Sequence, residues 1–223
     1  MNMPRLPRIV IPGLPHHITQ RGNRRQTTFF EDIDYQVYLQ CMRQACIQFD
    51  VKIWAYCLMP NHTHLIVVPS TTSSLAPAIG GGHEAYTRYI NFKMKWKGHF
   101  WQGRFSSFPM DEVHLHHGFA YVELNPVTAK MVQNPEDHPW SSARAHMGLA
   151  DDHYLDDVEK IKNIVDDWKV YLTEKAEINA LKAIEKHERS GRPLGSRDFI
   201  KDLELKLGIE LLPRKPGRKP KSK

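Results

Sequence analysis

Residues 51–68 read VKIWAYCLMPNHTHLIVV. Val51–Leu58 is rich in β-branched and aromatic residues, Met59-Pro60-Asn61 has turn chemistry, and His62–Val68 is a second β-rich run. The stretch therefore predicts a hairpin. Side chains alternate across a strand, so His62 and His64 share one face and Thr63 takes the other.

Upstream, His16–Arg21 (HHITQR) reads as a strand, followed by the basic loop Arg21-Gly22-Asn23-Arg24-Arg25. Asp32 has N-cap chemistry, and Tyr35, Tyr38, Leu39, Met42, Cys46 and Phe49 follow at helical spacing. Downstream, Pro69–Ser74 is loop, and Leu75–Lys95 is a helix that Gly80-Gly81-Gly82 is expected to bend or interrupt. Arg104–Asp111 predicts a strand, and Val113–Leu124 a helix stopped before Pro126. Strands and helices in this order, with a hairpin in the middle, predict an α+β domain: an antiparallel sheet with flanking helices, closing near residue 150. Beyond it, Leu155–Leu172 and Thr173–Arg189 read as charged amphipathic helices, Ser190–Gly195 breaks them, and Asp198–Leu207 is a further short helix. Pro213–Lys223 (PRKPGRKPKSK) is low in complexity and is expected to be disordered when free.

At 223 residues, 41% of them hydrophobic, the chain can fill a core. No stretch approaches the ~18–20 apolar residues of a membrane span. Residues 1–17 are broken by four prolines and lack the apolar centre of a leader peptide, so none is expected. The three cysteines, Cys41, Cys46 and Cys57, form no C-x-x-C, which argues against a disulfide framework or a cysteine zinc site and fits a reducing cytoplasm. Charge is unevenly spread. Residues 1–110 hold 12 Lys/Arg against 5 Asp/Glu, residues 111–212 hold 13 against 20, and residues 213–223 hold six with no acid. A basic block with a separate basic tail points to a polyanion, most simply nucleic acid; an ordinary soluble protein with a solvated tail fits the same numbers.

Four groups of residues can carry chemistry. Two neutral imidazoles on one strand face, His62 and His64, are a start for a divalent metal site, although H-x-H also occurs incidentally in strands. Tyr121 and Asn125, four apart, stack on one helix face; a tyrosine can attack phosphorus and an amide oxygen can ligate a metal, while an amphipathic tyrosine with an asparagine C-cap before proline is the simpler explanation of the two residues taken alone. His114, His116 and His117 fit a polar helix start or a second metal cluster. Lys93–Phe105 (KMKWKGHFWQGRF) interleaves cations with aromatics, the pattern of phosphate contacts and base stacking, or of a core flanked by solvated lysines. Trp101 and Arg104 are the expected contacts there.

Together these segments resemble the single-tyrosine "HUH" transposases. Met59–Leu65 is similar to their histidine strand, Tyr121–Val127 to their nucleophile helix, and Gly98–Phe105, Trp140–His146 and His16–Arg24 to further family segments. The resemblance covers about residues 4–150 and is closest to the REP-associated tyrosine transposases. The residue between the two histidines is usually bulky and hydrophobic in that family; here it is Thr63, which faces away from the pair. The resemblance implies a ferredoxin- or RRM-like catalytic domain (1–150), a helical C-terminal extension (151–212) and a disordered basic tail (213–223). It implies cleavage of single-stranded, hairpin-forming palindromic DNA through a 5′-phosphotyrosine, serving DNA transposition or processing of dispersed palindromes. Tyr121 would be the nucleophile, and His62, His64 and Asn125 would hold one Mg²⁺ or Mn²⁺. No nucleotide cofactor is implied, and no P-loop is present. His117, one turn before Tyr121, is a candidate base. DNA contacts are expected from Arg21, Asn23, Arg24, Arg25, Trp101 and Arg104, and from Arg214, Lys215, Arg218 and Lys219 of the tail. A monomer acting in cis, in the cytoplasm and associated with the nucleoid, is expected over a homodimer. The alternatives are a non-catalytic sequence-specific DNA-binding protein on the same fold and a metal hydrolase without covalent catalysis. The lack of an acid near the histidine pair in sequence argues against the hydrolase.

Overall fold

The computed structural model describes residues 8–174, 184, 186–188 and 190–212. Four strands form one antiparallel sheet: β1 (His16–Arg21), β2 (Val51–Met59), β3 (His62–Pro69) and β4 (Ser106–Pro109), in the spatial order β2-β3-β1-β4. The expected hairpin is β2–β3. Both of its strands are almost wholly buried, so they read as continuous apolar runs rather than as alternation.

Helices cover both faces. Helices α1 (Asp32–Gln48) and α2 (Leu75–Met94) pack on one, over Ile18, Ile53, Tyr56, Leu58, Leu65 and Val67. On the other, α3 (Glu112–Glu123) packs Leu115, Phe119 and Val122 against Ile66, Val68 and Phe108. Each such side chain, fully buried, stabilises by about 1.5–3 kcal/mol. An irregularity in β2, where Ile53 pairs with Val67 but Ala55 with Ile66, turns both Trp54 and Ala55 toward the α3 face.

Two expectations shift in detail, and a third element gains a sequel. Helix α1 is capped by Glu31 rather than Asp32, because Asp34 reaches back to accept from the Phe30 and Glu31 N–H groups (2.8 and 3.0 Å). Helix α2 runs unbroken through its three glycines. A Cβ on Gly82 would lie 2.9 Å from the Met42 Sδ and 3.1 Å from its Cα, so the glycine permits close packing of α1 on α2 rather than a bend. The helix before Pro126 ends at Glu123, as expected, but a further turn continues past it. After Leu124 (φ −87°, ψ −1°) the short α4 (Asn125–Thr128) follows at once, with Pro126 in its first turn, where a missing N–H costs nothing.

Beyond residue 150, short helices cover Val158–Lys162, Trp168–Glu174 and Arg197–Leu207, so the stretch expected as one helix over Leu155–Leu172 is interrupted at 163–167; of the helix expected over Thr173–Arg189, residues 184 and 186–188 are helical and most of the rest lies outside the described residues. Ile161, Trp168, Tyr171, Leu172, Ile184 and Leu194 pack in the same apolar cluster as α3. The tail 213–223, with Arg214, Lys215, Arg218 and Lys219, lies outside the described residues. Among the described residues, no helix is long and apolar enough to cross a membrane.

Candidate active site

Strand register builds the floor of the site. Thr19 of β1 and Cys57 of β2 flank His64, and Arg21 and Met59 flank His62. Cross-strand partners share a face, so His17, Thr19, Arg21, His62 and His64 all point toward α3. Thr63 points the other way, buried, and receives a hydrogen bond from the Tyr38 hydroxyl (3.1 Å).

Helix α3 supplies the roof. The Tyr121 ring meets His64 edge to face at 5.3 Å between centroids and His17 at 5.7 Å. Asn125 stays on the Tyr121 side, its Nδ2 donating to the Tyr121 carbonyl (3.5 Å). Tyr121, Asn125 and the histidine pair, far apart in sequence, thus meet between β3 and α3.

The imidazoles are neutral near pH 7. Burial, then the charge of Arg21, pushes His62 down to about 4, against the opposing pull of the Asn125 side chain. Burial pushes His17 down to about 3; burial, then His62, His17 and Arg21, holds His64 well below its usual value. His62 Nδ1 is engaged with the Asn61 side-chain oxygen (2.6 Å), which leaves Nε2 carrying the lone pair. The buried His64 Nε2 has no hydrogen-bond partner among the described residues. Free imidazole nitrogens on two neighbouring rings, with an amide at their edge, suit a divalent cation.

One member was absent from the expectation. Glu188, 67 residues after Tyr121, places Oε1 where it accepts from Thr19 Oγ1 (2.9 Å) and Tyr121 Oη (3.3 Å). The same oxygen lies 3.4 Å from His64 Nδ1 and 3.8 Å from His17 Nδ1. His17, His64 and Glu188 therefore form a second possible metal-binding group, with ligand atoms all within 4.8 Å of one another. The reading that no acid lies near the histidine pair is corrected: the acid comes from a distant segment. His17 could have been suspected from strand alternation, since it shares parity with Thr19 and Arg21; Glu188 carries no sequence signal of its own.

The other expected residues divide. Arg21, Arg25 and Arg104 line a cleft of about 650 Å³ with Tyr121 and Glu188, and among the described residues none of the three forms an ion pair. Asn23 lines an adjoining cavity, and Arg24 is exposed with left-handed backbone (φ 53°). Trp101 is corrected from a stacking platform to a core residue: it is only 9% exposed and its Nε1–H donates to the His83 carbonyl (3.2 Å). The exposed large aromatic of this segment is Trp96, with Phe92 just before it on α2. His114 belongs to a helix start, its Nδ1 on the Asp111 carboxylate (2.6 Å), as the simpler reading of the histidine cluster expects.

The sheet order, the histidine pair beneath α3 and the arginine-lined cleft define the class: an α+β fold with a candidate cation site beside a basic cleft. Residues 11–125 match the family described as IS200-like transposases, more than half of the chain, and the chain belongs to that family. A solved structure of a REP-associated tyrosine transposase bound to a REP hairpin is similar in fold (TM-score 0.58, 17% identity, 69% of this chain and 98% of that one). A crystal structure assigned as a transposase from Deinococcus radiodurans R1 matches less well (TM-score 0.37, 16% identity, 53% and 95%). No curated protein matches the chain.

Proposed function

We propose that this transposase-family protein nicks and rejoins single-stranded, hairpin-forming DNA in the manner of the REP-associated branch, with Tyr121 as the nucleophile. The observation that carries the reading is the meeting of the Tyr121 ring with His64 across the α3–β3 interface, with His62 and Asn125 beside it. The Tyr121 oxygen would form a bond to phosphorus as the bond to the 3′ oxygen breaks, leaving a 5′-phosphotyrosine and a free 3′-OH. One phosphodiester replaces another, so rejoining needs no nucleotide cofactor. The hydroxyl proton is already directed to Glu188 Oε1, which supports Glu188 over His117 as its acceptor.

His62 and His64, with the Asn125 amide, would hold Mg²⁺ or Mn²⁺; His17 and Glu188 are the further ligand candidates around His64. When bound, the ion would polarise the scissile phosphate and offset its developing charge. Arg21, Arg25 and Arg104 would neutralise backbone phosphates along the cleft, as would the cations of the tail. The chain would act as a cytoplasmic, nucleoid-associated monomer.

Glu188 beside His64 also suits a metal hydrolase that activates water. Incubation with a hairpin oligonucleotide and Mn²⁺, then denaturing electrophoresis, separates the two readings. A covalent protein–DNA adduct is expected, and Tyr121→Phe should abolish it while retaining DNA binding. Cleavage with no adduct would favour the hydrolase; an adduct of full amplitude in the variant would remove Tyr121 as the nucleophile.

A further inference from the structure

Beside the catalytic cleft lies a second cavity of about 860 Å³, between α2 and residues 98–105. Gln20, Gln102, Gly103 and Arg104 line both spaces, so the two adjoin across the turn at 102–104. Gln20 pins that turn, its Nε2–H donating to the Gly103 carbonyl (2.9 Å).

Two guanidinium groups stand on the cavity wall. Arg8 is half-buried, lies over the Phe105 ring (3.6 Å to its centroid) and donates to the Phe105 carbonyl (3.0 Å). Arg104 is exposed at the boundary with the cleft. Among the described residues neither forms an ion pair; Glu84, on the same wall, is engaged with Arg88 (2.7 Å). Burial and the charge of Arg104 push Arg8 down to about 10. Two like charges sharing a half-enclosed space are unfavourable until an anion arrives. Opposite them α2 leaves room, since a Cβ on Gly80 would meet nothing within 4 Å. Asn23, Thr87 and His99 add polar edges. The volume exceeds what a lone phosphate needs and falls in the range of small-molecule sites.

We propose that this cavity holds the unpaired nucleotide next to the scissile phosphate, its phosphate between Arg8 and Arg104 and its base in the space before Gly80. The proposal rests on the reading of the neighbouring cleft as a single-strand cleavage site. A paired base has no access to such a space, so the site selects single-stranded flanks.

The test uses the full chain carrying Tyr121→Phe and measures binding of hairpin oligonucleotides with or without a single-stranded extension. Arg8→Gln and Gly80→Phe should each weaken binding of the extended oligonucleotide about tenfold, the size of one charged or stacking contact. Neither should affect the bare hairpin. Arg8→Gln should also reduce the magnitude of the salt slope by ~0.7, the single-strand value for one phosphate. Gly80→Phe should leave the slope unchanged, and an abasic nucleotide in the extension should reproduce its effect. Unchanged binding of the extended oligonucleotide in both variants overturns the proposal, as does equal weakening on both oligonucleotides. Competition by inorganic phosphate or thymidine monophosphate as strong as that of the extended oligonucleotide overturns it in favour of a free-anion site. A parent protein that binds neither oligonucleotide would instead refute the cleavage-site reading beneath it.

Discussion

Replacing Glu123 by alanine removes an acceptor that ties the end of α3 to the segments packed against it. Glu123 is the last residue of α3, two after Tyr121, and is fully buried. Its Oε1 accepts from Ser142 Oγ and His146 Nδ1, both at 2.6 Å, and its Oε2 accepts from Trp168 Nε1 at 2.6 Å. The alanine variant would strand two buried donors, His146 Nδ1 and Trp168 Nε1, while Ser142 Oγ keeps the Tyr56 carbonyl (3.3 Å). Hydrogen bonds to a charged acceptor contribute about 1.5–3 kcal/mol each, but the losses overlap, so removal of one partner from such a network should cost about 3–5 kcal/mol. For a chain of this length that lowers Tm by roughly 6–20 °C. Glu123→Gln keeps one oxygen but turns an NH₂ toward a donor, and should fall between the two. Urea unfolding of all three proteins measures the difference, and a Glu123→Ala/Trp168→Phe cycle measures the coupling. A loss under about 1 kcal/mol for the alanine variant would refute the claim that this carboxylate anchors α3.

Other outcomes follow from the same geometry. His62→Ala and His64→Ala should abolish cleavage and weaken Mn²⁺ binding by calorimetry, with Asn125→Ala milder; unchanged affinity in both histidine variants would remove the metal site. Burial raises the Asp34 carboxyl, but bonds from Lys93 (2.6 Å), the Phe30 N–H, Tyr89 and the Glu31 N–H outweigh it and hold its pKa low. A depressed carboxylate contributes stability in full above its unfolded pKa of ~4, and that contribution fades as pH falls through the lower folded value. Asp34→Asn should therefore destabilise at pH 7 and flatten the acid limb of the stability–pH curve; a parallel curve would contradict this. Gly82→Ala should destabilise despite better helix propensity, because ~1–3 kcal/mol of overpacking against Met42 exceeds the ~1 kcal/mol gain; a raised Tm would show that α1 and α2 have slack.

Whatever depends on local periodicity was legible in the sequence. The β2–β3 hairpin, His62 and His64 on one strand face, and Tyr121 and Asn125 on one helix side follow from repeats of two and about four residues. The antiparallel α+β class followed from element order. The gaps concern contacts between segments. Periodicity could not distinguish Trp101, closed over by His83, from the exposed Trp96, because both sit in the same basic run. Three glycines in a helix read as a weakness until Met42 was found against Gly82. His17 needed the β1–β3 register to join His64. Arg8 needed the fold to meet Arg104. Glu188 shows the limit most plainly: a glutamate in a charged stretch is indistinguishable from its solvated neighbours until packing of the C-terminal segment against β1 and β4 brings its carboxylate to Tyr121, Thr19 and His64. Its role is set by a long-range contact, which no local pattern encodes.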